Sequence, residues 1–435
     1  MNLVLGQADI SPDRMPGLTP LSRAAKGGHE ETVTMLLERG DVDPNATNKH
    51  GRTPLFMAAR KGHEGVVKIL LGWNDITFGT AAADGRVTLL GAPLVVDQGI
   101  EEMQLERKKV NPNTMDEHGR TPLFIAAAKG HDGVVKMLLE RNDVNPNIAN
   151  YYSQTPLFVA AEAGHELIVK MLLEHVDINP NTVDYSGGIP LLVAASEGHE
   201  GVVKRLLSRE DANPNTVDEY GKTPLAAAIG NGHEGVVKVL LEHKDVNPNI
   251  TDRQGQTPLF VVAKAGIEGV VKMLLGRMDL NPNIADKYGQ TPFYAAVHNE
   301  HKEIVKALLE RNDIDPNAAN ENGQTPLFLA AGKGNERVVK MLLARDDVDP
   351  NTPDAVHQTP LLAAVEEGHA GIVKILLERT DVDSDMRGLT GAKALVRARK
   401  RGHNALVEFL SEYRSLPPRL FGDPNQPPSK RCRRI

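Results

Sequence analysis

Between Gly119 and Tyr152 the chain reads GRTPLFIAAAKGHDGVVKMLLERNDVNPNIANYY, with apolar residues in two short bursts separated by glycine. The first burst, Leu123 to Lys129, predicts a short alanine-rich helix. Thr121 and Pro122 start it, because a hydroxyl can accept from an orphan backbone N–H and proline at the first helical position loses only a donor that had no partner. Gly130 stops it, since a positive φ costs glycine least. The second burst places Val134, Val135, Leu138 and Leu139 on one face of a helix from about His131 to Arg141. Asp132 and Lys136 stand four apart on its polar side, a surface pair worth about 0.3 kcal/mol. Val144, Pro146 and Asn147 then lead into a polar reversal at Asn150 to Ser153. The preceding copy of this reversal, Asp116-Glu117-His118-Gly119, has Asp first and Gly last, as a type I turn favours. The predicted unit is a projecting turn followed by two antiparallel helices.

Unit starts fall at Gly17, Gly51, Gly85, Gly119, Ser153, Gly187, Gly221, Gly255, Gly289, Gly323, His357 and Gly391, each 34 residues after the last, so twelve units fit without insertion or deletion. Ordering a residue costs about 1.5 kcal/mol, and two short helices alone bury too little to offset that, so each unit must stack on its neighbours in an elongated array. Residues 1–16 form an irregular N-terminal segment in which Asp9 to Pro12 read like a shortened linker. They either cap the array or join it to something upstream.

The pattern G-x-TPL-x-x-A-A-x-x-GH-E-x-VVK-x-LL followed by D-V-x-P-N, recurring in phase over residues 17–416, resembles the ankyrin repeat. The resemblance implies an all-α ankyrin-repeat solenoid of helix-turn-helix units with projecting β-turn or hairpin tips. It departs from the usual form in its 34-residue spacing, where 33 is more common in the family, and in Phe56, Phe124, Phe158, Phe260 and Phe328, which stand where the family usually has His. This form is similar to ankyrin arrays common in filamentous fungi.

Three units are irregular. In the third, at 85–118, Val87-Thr88 replace the Thr-Pro start, Pro93 falls mid-helix at a cost of about 3 kcal/mol, and Glu101 and Gln104 take apolar positions. It reads as a degenerate repeat tolerated by its neighbours, with a docking surface at Leu94, Val95 and Val96 as the alternative, and as the first place a protease should cut within 17–416. In the ninth, Glu300 stands where the interhelical glycine belongs, and Asn299 beside it is expected to take the left-handed conformation. The last unit, at 391–416, keeps Leu395, Ala398, Gly402, His403, Val407 and Leu410 in phase and carries Lys393, Arg397, Arg399, Lys400 and Arg401, as a C-terminal cap should. Residues 417–435 are proline-rich, end SKRCRRI, and read as a disordered basic tail.

Composition removes several classes of function. Net charge is −7 over 435 residues, spread along the chain, which advertises no nucleic-acid groove. One cysteine, Cys432, excludes a disulfide framework and a cysteine zinc site. The apolar start at Leu3 to Leu5 is too short for a signal peptide, and no long apolar run suggests a membrane span. An intracellular protein, cytoplasmic or nuclear, is expected, and one that is monomeric on its own.

Candidate chemistry is sparse. Nine histidines, His29, His63, His131, His165, His199, His233, His301, His369 and His403, share one position of the unit. Metal ligands must converge, whereas packed helices hold equivalent positions near 10 Å apart, so these residues read as helix-start residues whose rings order the turn. The column Lys136, Lys170, Lys204, Lys238 reads as a solvated face. Gly221-Lys222-Thr223 lacks the upstream glycine of a phosphate loop, and Thr223 is a helix cap. No nucleophile constellation stands out, so no enzyme, cofactor or metal is expected.

Differences between units are more informative. Five of the seven tyrosines, Tyr151, Tyr152, Tyr185, Tyr220 and Tyr288, lie at turn tips, where exposed Tyr makes a good interface anchor. Along the first helices the charge varies through Arg60 and Lys61, Lys129, Glu162, Glu197, Lys264, His298, Lys333, Glu366 and Glu367, then Lys400 and Arg401, a mixed stripe better suited to a protein or extended peptide than to a nucleic-acid backbone. The family resemblance implies protein binding through the tips and the adjoining first-helix face. The expected function is a non-catalytic adaptor with a protein partner and no small-molecule substrate. The alternative is the regulatory or substrate-recruiting portion of a larger enzyme, receptor or nuclear complex. Lys430, Arg431, Arg433 and Arg434 are candidates for a nuclear import signal.

Overall fold

The computed structural model describes residues 18–39, 41–73, 86–89, 92–95, 109–379, 381–382 and 389–415, and the chain divides into two compact units, Met1–Glu219 and Tyr220–Ile435. In the first unit, helices pair as α1 (Pro20–Gly27) with α2 (Glu30–Glu38), α3 (Pro54–Lys61) with α4 (Glu64–Gly72), α5 (Pro122–Lys129) with α6 (Asp132–Leu139), α7 (Pro156–Glu162) with α8 (Glu166–Glu174), and α9 (Pro190–Glu197) with α10 (Glu200–Leu207). A two-stranded antiparallel ladder, β1 (Arg86–Leu89) and β2 (Ala92–Val95), lies in the chain between α4 and α5. In the second unit the pairs are α11 (Pro224–Gly230) with α12 (Glu234–Glu242), α13 (Pro258–Ala265) with α14 (Glu268–Leu275), α15 (Pro292–His298) with α16 (Lys302–Leu309), α17 (Pro326–Gly332) with α18 (Glu336–Leu343), α19 (Pro360–Glu367) with α20 (Ala370–Leu377), and α21 (Leu389–Arg401) with α22 (Asn404–Ser415).

Each pair forms for the reasons visible in the repeat. The Thr121 hydroxyl accepts from the Phe124 N–H at 3.1 Å, Pro122 opens α5, and Gly130 closes it at φ 76°, its N–H turned back to the carbonyls of Ala126 and Ala127. Among the first helices whose capping residue is described, α9 starts without a side-chain cap, because Ile189 has no hydroxyl to offer. Within each unit first helices pack on first helices and second on second. They bury Phe124, Val134, Val135 and Leu138 in one repeat and their counterparts in the others. Truncating one such Leu to Ala should cost about 3 kcal/mol.

Polar side chains fasten neighbouring repeats. The histidine column starts the second helices but makes no side-chain cap. Its Nε2 instead reaches the preceding repeat, as from His131 to the Arg60 carbonyl (3.1 Å) and from His199 to that of Glu162 (3.0 Å). In the D-V-x-P-N linker, Asn147 Nδ2 donates to the Asp177 carbonyl at 2.6 Å while its Oδ1 accepts from the Asn179 N–H at 3.3 Å. This side chain imitates one rung of a β-ladder. Arg209 is held by Asp211 and donates through Nη1 to the Leu173 carbonyl at 2.8 Å, satisfying an acceptor at the end of α8. In the last repeat Tyr413 takes the arginine's position and its hydroxyl donates to the Leu377 carbonyl at 3.0 Å.

The third unit departs from expectation. Residues expected to begin its first helix form β1 and β2 instead, with Pro93 paired across from Thr88, and α3 packs directly on α5 and α4 on α6. Asn45 reaches the Lys109 carbonyl, His131 that of Arg60 and Arg141 that of Leu71, over separations of 64, 71 and 70 residues. The same three contacts elsewhere span 30, 37 and 36 residues. The difference is 34 in every case, one repeat length. The second repeat thus stacks directly on the fourth. Val96, Glu101 and Gln104, which carried the docking and decay readings, lie outside the described residues, as do the N-terminal segment 1–16 and the tail 417–435.

Glu300 also corrects the sequence reading. Glu300 itself adopts φ 61°, while Asn299 sits at φ −94°. A Cβ on Gly266 would lie 2.7 Å from the His301 ring of the next repeat, and one on Gly334 2.6 Å from His369. Glu300 escapes that clash because the next repeat has Asn335 in place of the histidine.

Candidate partner-binding surface

Each tip is shaped by its first turn residue. Asn150 Oδ1 accepts from the N–H groups of Tyr152 and Gln154, both at 2.9 Å. Asp184 Oδ1 accepts from the N–H groups of Ser186 (3.0 Å) and Gly188 (2.8 Å) and from the Ser186 hydroxyl (2.8 Å). Consecutive tips are joined by single backbone bonds, Tyr151 N–H to the His118 carbonyl and Tyr185 N–H to that of Tyr152. In the first unit Tyr151, Tyr152 and Tyr185 therefore stand on adjacent tips, 60%, 62% and 76% exposed. In the second unit Tyr220 and Tyr288 are likewise exposed. They are separated by the Arg253–Gln254 tip, which bonds to each neighbour through the backbone.

The first-helix ends carry the charges. Lys129, Glu162 and Glu197 are exposed at the ends of α5, α7 and α9. The Glu162 carboxyl is held above the ordinary carboxylate value, first by partial burial and then by the negative charges of Glu197 and Asp184. Among the described residues, Glu162 and Glu197 form no ion pair. In the second unit Lys264, His298 and Lys333 form a basic run ahead of the acidic Glu366 and Glu367. His298 is held below the usual imidazole value by partial burial and by Lys333 and Lys264. Its ring lies 6.4 Å from the buried Tyr294 ring, whose hydroxyl accepts from Asn320 Nδ2 at 3.0 Å. The stripe that the sequence presents as mixed is thus sorted into like-charged groups within each unit.

One cluster was not seen in the sequence. Glu366 accepts from Arg397 Nη1 at 2.8 Å, Arg401 Nη2 at 2.7 Å and Gln358 Nε2 at 3.0 Å. Its carboxyl is pushed below the ordinary value, led by the Arg401 hydrogen bond. Arg397 and Arg401 look outward-facing in a capping repeat. Their spacing of 31 and 35 residues from Glu366 is the signal that could have paired them. Among the described residues no group of three or more His, Cys, Asp or Glu could hold a metal. No helix there is long and apolar enough to cross a membrane. The import candidates Lys430, Arg431, Arg433 and Arg434 lie outside the described residues.

Paired helices with a polar turn between pairs, stacked through buried Val and Leu columns, define a helical repeat protein. Family models for ankyrin repeats match residues 2–79, 94–184, 191–286 and 278–354, and an ankyrin repeat model matches 357–387; the chain belongs to the ankyrin-repeat family. No curated protein matches the sequence. Among solved structures, the ankyrin repeat domain of Bcl-3, a unique member of the IkappaB protein family, is similar at 23% identity and TM-score 0.48, covering 60% of this chain and 100% of that one.

Proposed function

We propose that the protein is a non-catalytic scaffold that holds a protein or extended peptide against its turn tips and the neighbouring first-helix ends. Ankyrin repeats are generally protein-interaction modules, and one observation carries the reading here. Tyr151, Tyr152 and Tyr185, large aromatic groups with a polar end, stand exposed on two adjacent tips beside charged helix ends. Affinity purification with the intact chain and with a variant carrying all five tip tyrosines as Ala tests it, once circular dichroism shows the variant folded. A partner captured by the intact chain and lost from the variant supports the proposal. Identical partner sets contradict it. Intracellular placement with nuclear import through Lys430, Arg431, Arg433 and Arg434 belongs to the same proposal, and deleting residues 429–435 without changing the nuclear fraction would remove that part.

A further inference from the structure

In the second unit two successive tips leave a groove of about 510 Å³, lined by Tyr220 and Lys222 from one tip and Asp252, Arg253 and Gln254 from the next. The backbone around it is satisfied. Asp252 Oδ1 accepts from the N–H groups of Gln254 (2.8 Å) and Gln256 (2.9 Å), and the Arg253 N–H donates to the Tyr220 carbonyl at 3.1 Å. The Arg253 guanidinium stands apart from the rest. Arg209, Arg277, Arg311 and Arg345 are each held by an aspartate two residues on, whereas among the described residues the Arg253 side chain enters no ion pair and no hydrogen bond. Beside it the Tyr220 ring is 59% exposed.

The equivalent place, where the second repeat stacks on the fourth, is filled by the chain itself. His50 and Arg52 match Tyr220 and Lys222, and Asp116, Glu117 and His118 match Asp252, Arg253 and Gln254. Asp116 Oδ1 closes its turn as Asp252 does, accepting from the N–H groups of His118 and Arg120. Glu117 Oε1 then lies 2.7 Å from His50 Nδ1, 3.6 Å from His118 Nε2 and 3.9 Å from Arg52 Nη2. Arg253 puts a cation where Glu117 supplies that carboxylate. The later groove therefore keeps the basic and aromatic lining and lacks the anion that the earlier place holds.

We infer that this groove receives a glutamate or aspartate side chain from an extended segment of the partner protein, held between Lys222 and Arg253 with its methylene stem against the Tyr220 ring. A guanidinium fork pairs with both oxygens of a carboxylate, and the tyrosine offers apolar area beside a polar end. Asp252 lines the same groove, and its negative charge favours a singly charged carboxylate over a phosphate group or a nucleic-acid backbone. The basic end SKRCRRI of this chain has the wrong sign to fill the place. The inference rests on the tip surface being a protein-binding site.

The test is a dodecapeptide library selected on the full-length chain, followed by fluorescence anisotropy of the selected peptides against wild type and Lys222→Gln/Arg253→Gln. An acidic residue should be enriched at one position. Replacing it with its amide should weaken binding to wild type about tenfold and change nothing on the double variant. An amide penalty that persists on the double variant overturns the inference, as does a selected set without an enriched acid. Phosphoserine at that position binding about tenfold tighter than the acid overturns the choice of a carboxylate. Peptides that depend on the tip tyrosines yet carry no acid leave the docking surface standing and remove only this groove. No tyrosine-dependent peptide at all removes both. A peptide of residues 1–16, which carries Asp9 and Asp13, binding as tightly as the selected ones overturns the assignment to a partner. Arg253→Glu supplies the carboxylate from within, as Glu117 does at the earlier place. It should abolish acidic-peptide binding with the circular dichroism spectrum unchanged, and retained binding contradicts the inference.

Discussion

Glu162 in the first unit and Glu366 in the second are the same repeat position in opposite electrostatic circumstances. Glu366 is neutralised by Arg397 and Arg401 from the repeat that follows it, whereas the Glu162 carboxyl is held up first by partial burial and then by the negative charges of Glu197 and Asp184. The two glutamates share a repeat position, and the contrast comes from the residues one repeat further on, Val193 and Glu197 against Arg397 and Arg401. A repeat scaffold fixes the position of a group, and its neighbour decides whether that group is paired. The near-neutral cost of an exposed, unpaired charge lets such a position persist, since half-exposed pairs are worth only about 0.5 kcal/mol.

The largest effect should come from turning the Glu366 site toward the state of Glu162. Arg397→Leu removes one guanidinium while keeping most of the side-chain volume. It should cost about 1 kcal/mol in urea unfolding, and an unchanged midpoint would show that the pair adds nothing to the last repeats. The reverse change, Glu197→Arg, should add about 0.5 kcal/mol.

The two glutamates should also respond to pH with opposite signs. For Glu366 the folded value is lowered, so its contribution to stability is present above the unfolded value, ordinarily 4.5, and is lost as pH falls through the folded value. Glu366→Gln should therefore destabilise at pH 7 and approach wild type in acid. For Glu162 the folded value is raised, so any relative stabilisation holds below the unfolded value and is lost as pH rises through the folded one. Glu162→Gln should stabilise slightly at pH 7, by about 0.3 kcal/mol, and the gain should vanish in acid. Parallel pH profiles for the two variants would dissolve the contrast.

The smallest effect is expected from deleting residues 74–107. Because α3 already packs on α5, joining Trp73 to Lys108 restores a linker of ordinary repeat length, and the thermal midpoint should stay within about 2 °C. A large loss would mean that the intervening residues support the stack.

Much of the fold was legible because each repeat states its own boundaries. Thr121-Pro122 and Gly130 mark a start and a stop, and the Val134 and Leu138 columns mark the buried face. Three things were hidden by the same regularity. The stretch between Trp73 and Lys108 has the length of a repeat, so a constant phase concealed that the second and fourth repeats touch. Its weak Val87-Thr88 start and Pro93 were the visible signs. The histidine column read as a local turn device because a side chain's reach into the preceding repeat has no trace in its own repeat. Glu300 could have been understood only together with Asn335, one repeat later. The candidate site was half legible: exposed tip tyrosines and charged helix ends can be read from position. The pairing of Glu366 with Arg397 and Arg401, and its lack at Glu162, require comparison across repeats at spacings of 31 and 35 residues.

The most direct measurement is a carboxyl titration of Glu162 and Glu366 by carbon-13 NMR in the full chain, assigned with Glu162→Gln and Glu366→Gln. Glu162 should titrate above the ordinary glutamate value and Glu366 below it, and Glu197→Arg should bring Glu162 down while leaving Glu366 unchanged. Indistinguishable titrations, or a Glu162 that ignores residue 197, would contradict the claim that one repeat position is held in opposite electrostatic circumstances by its neighbours.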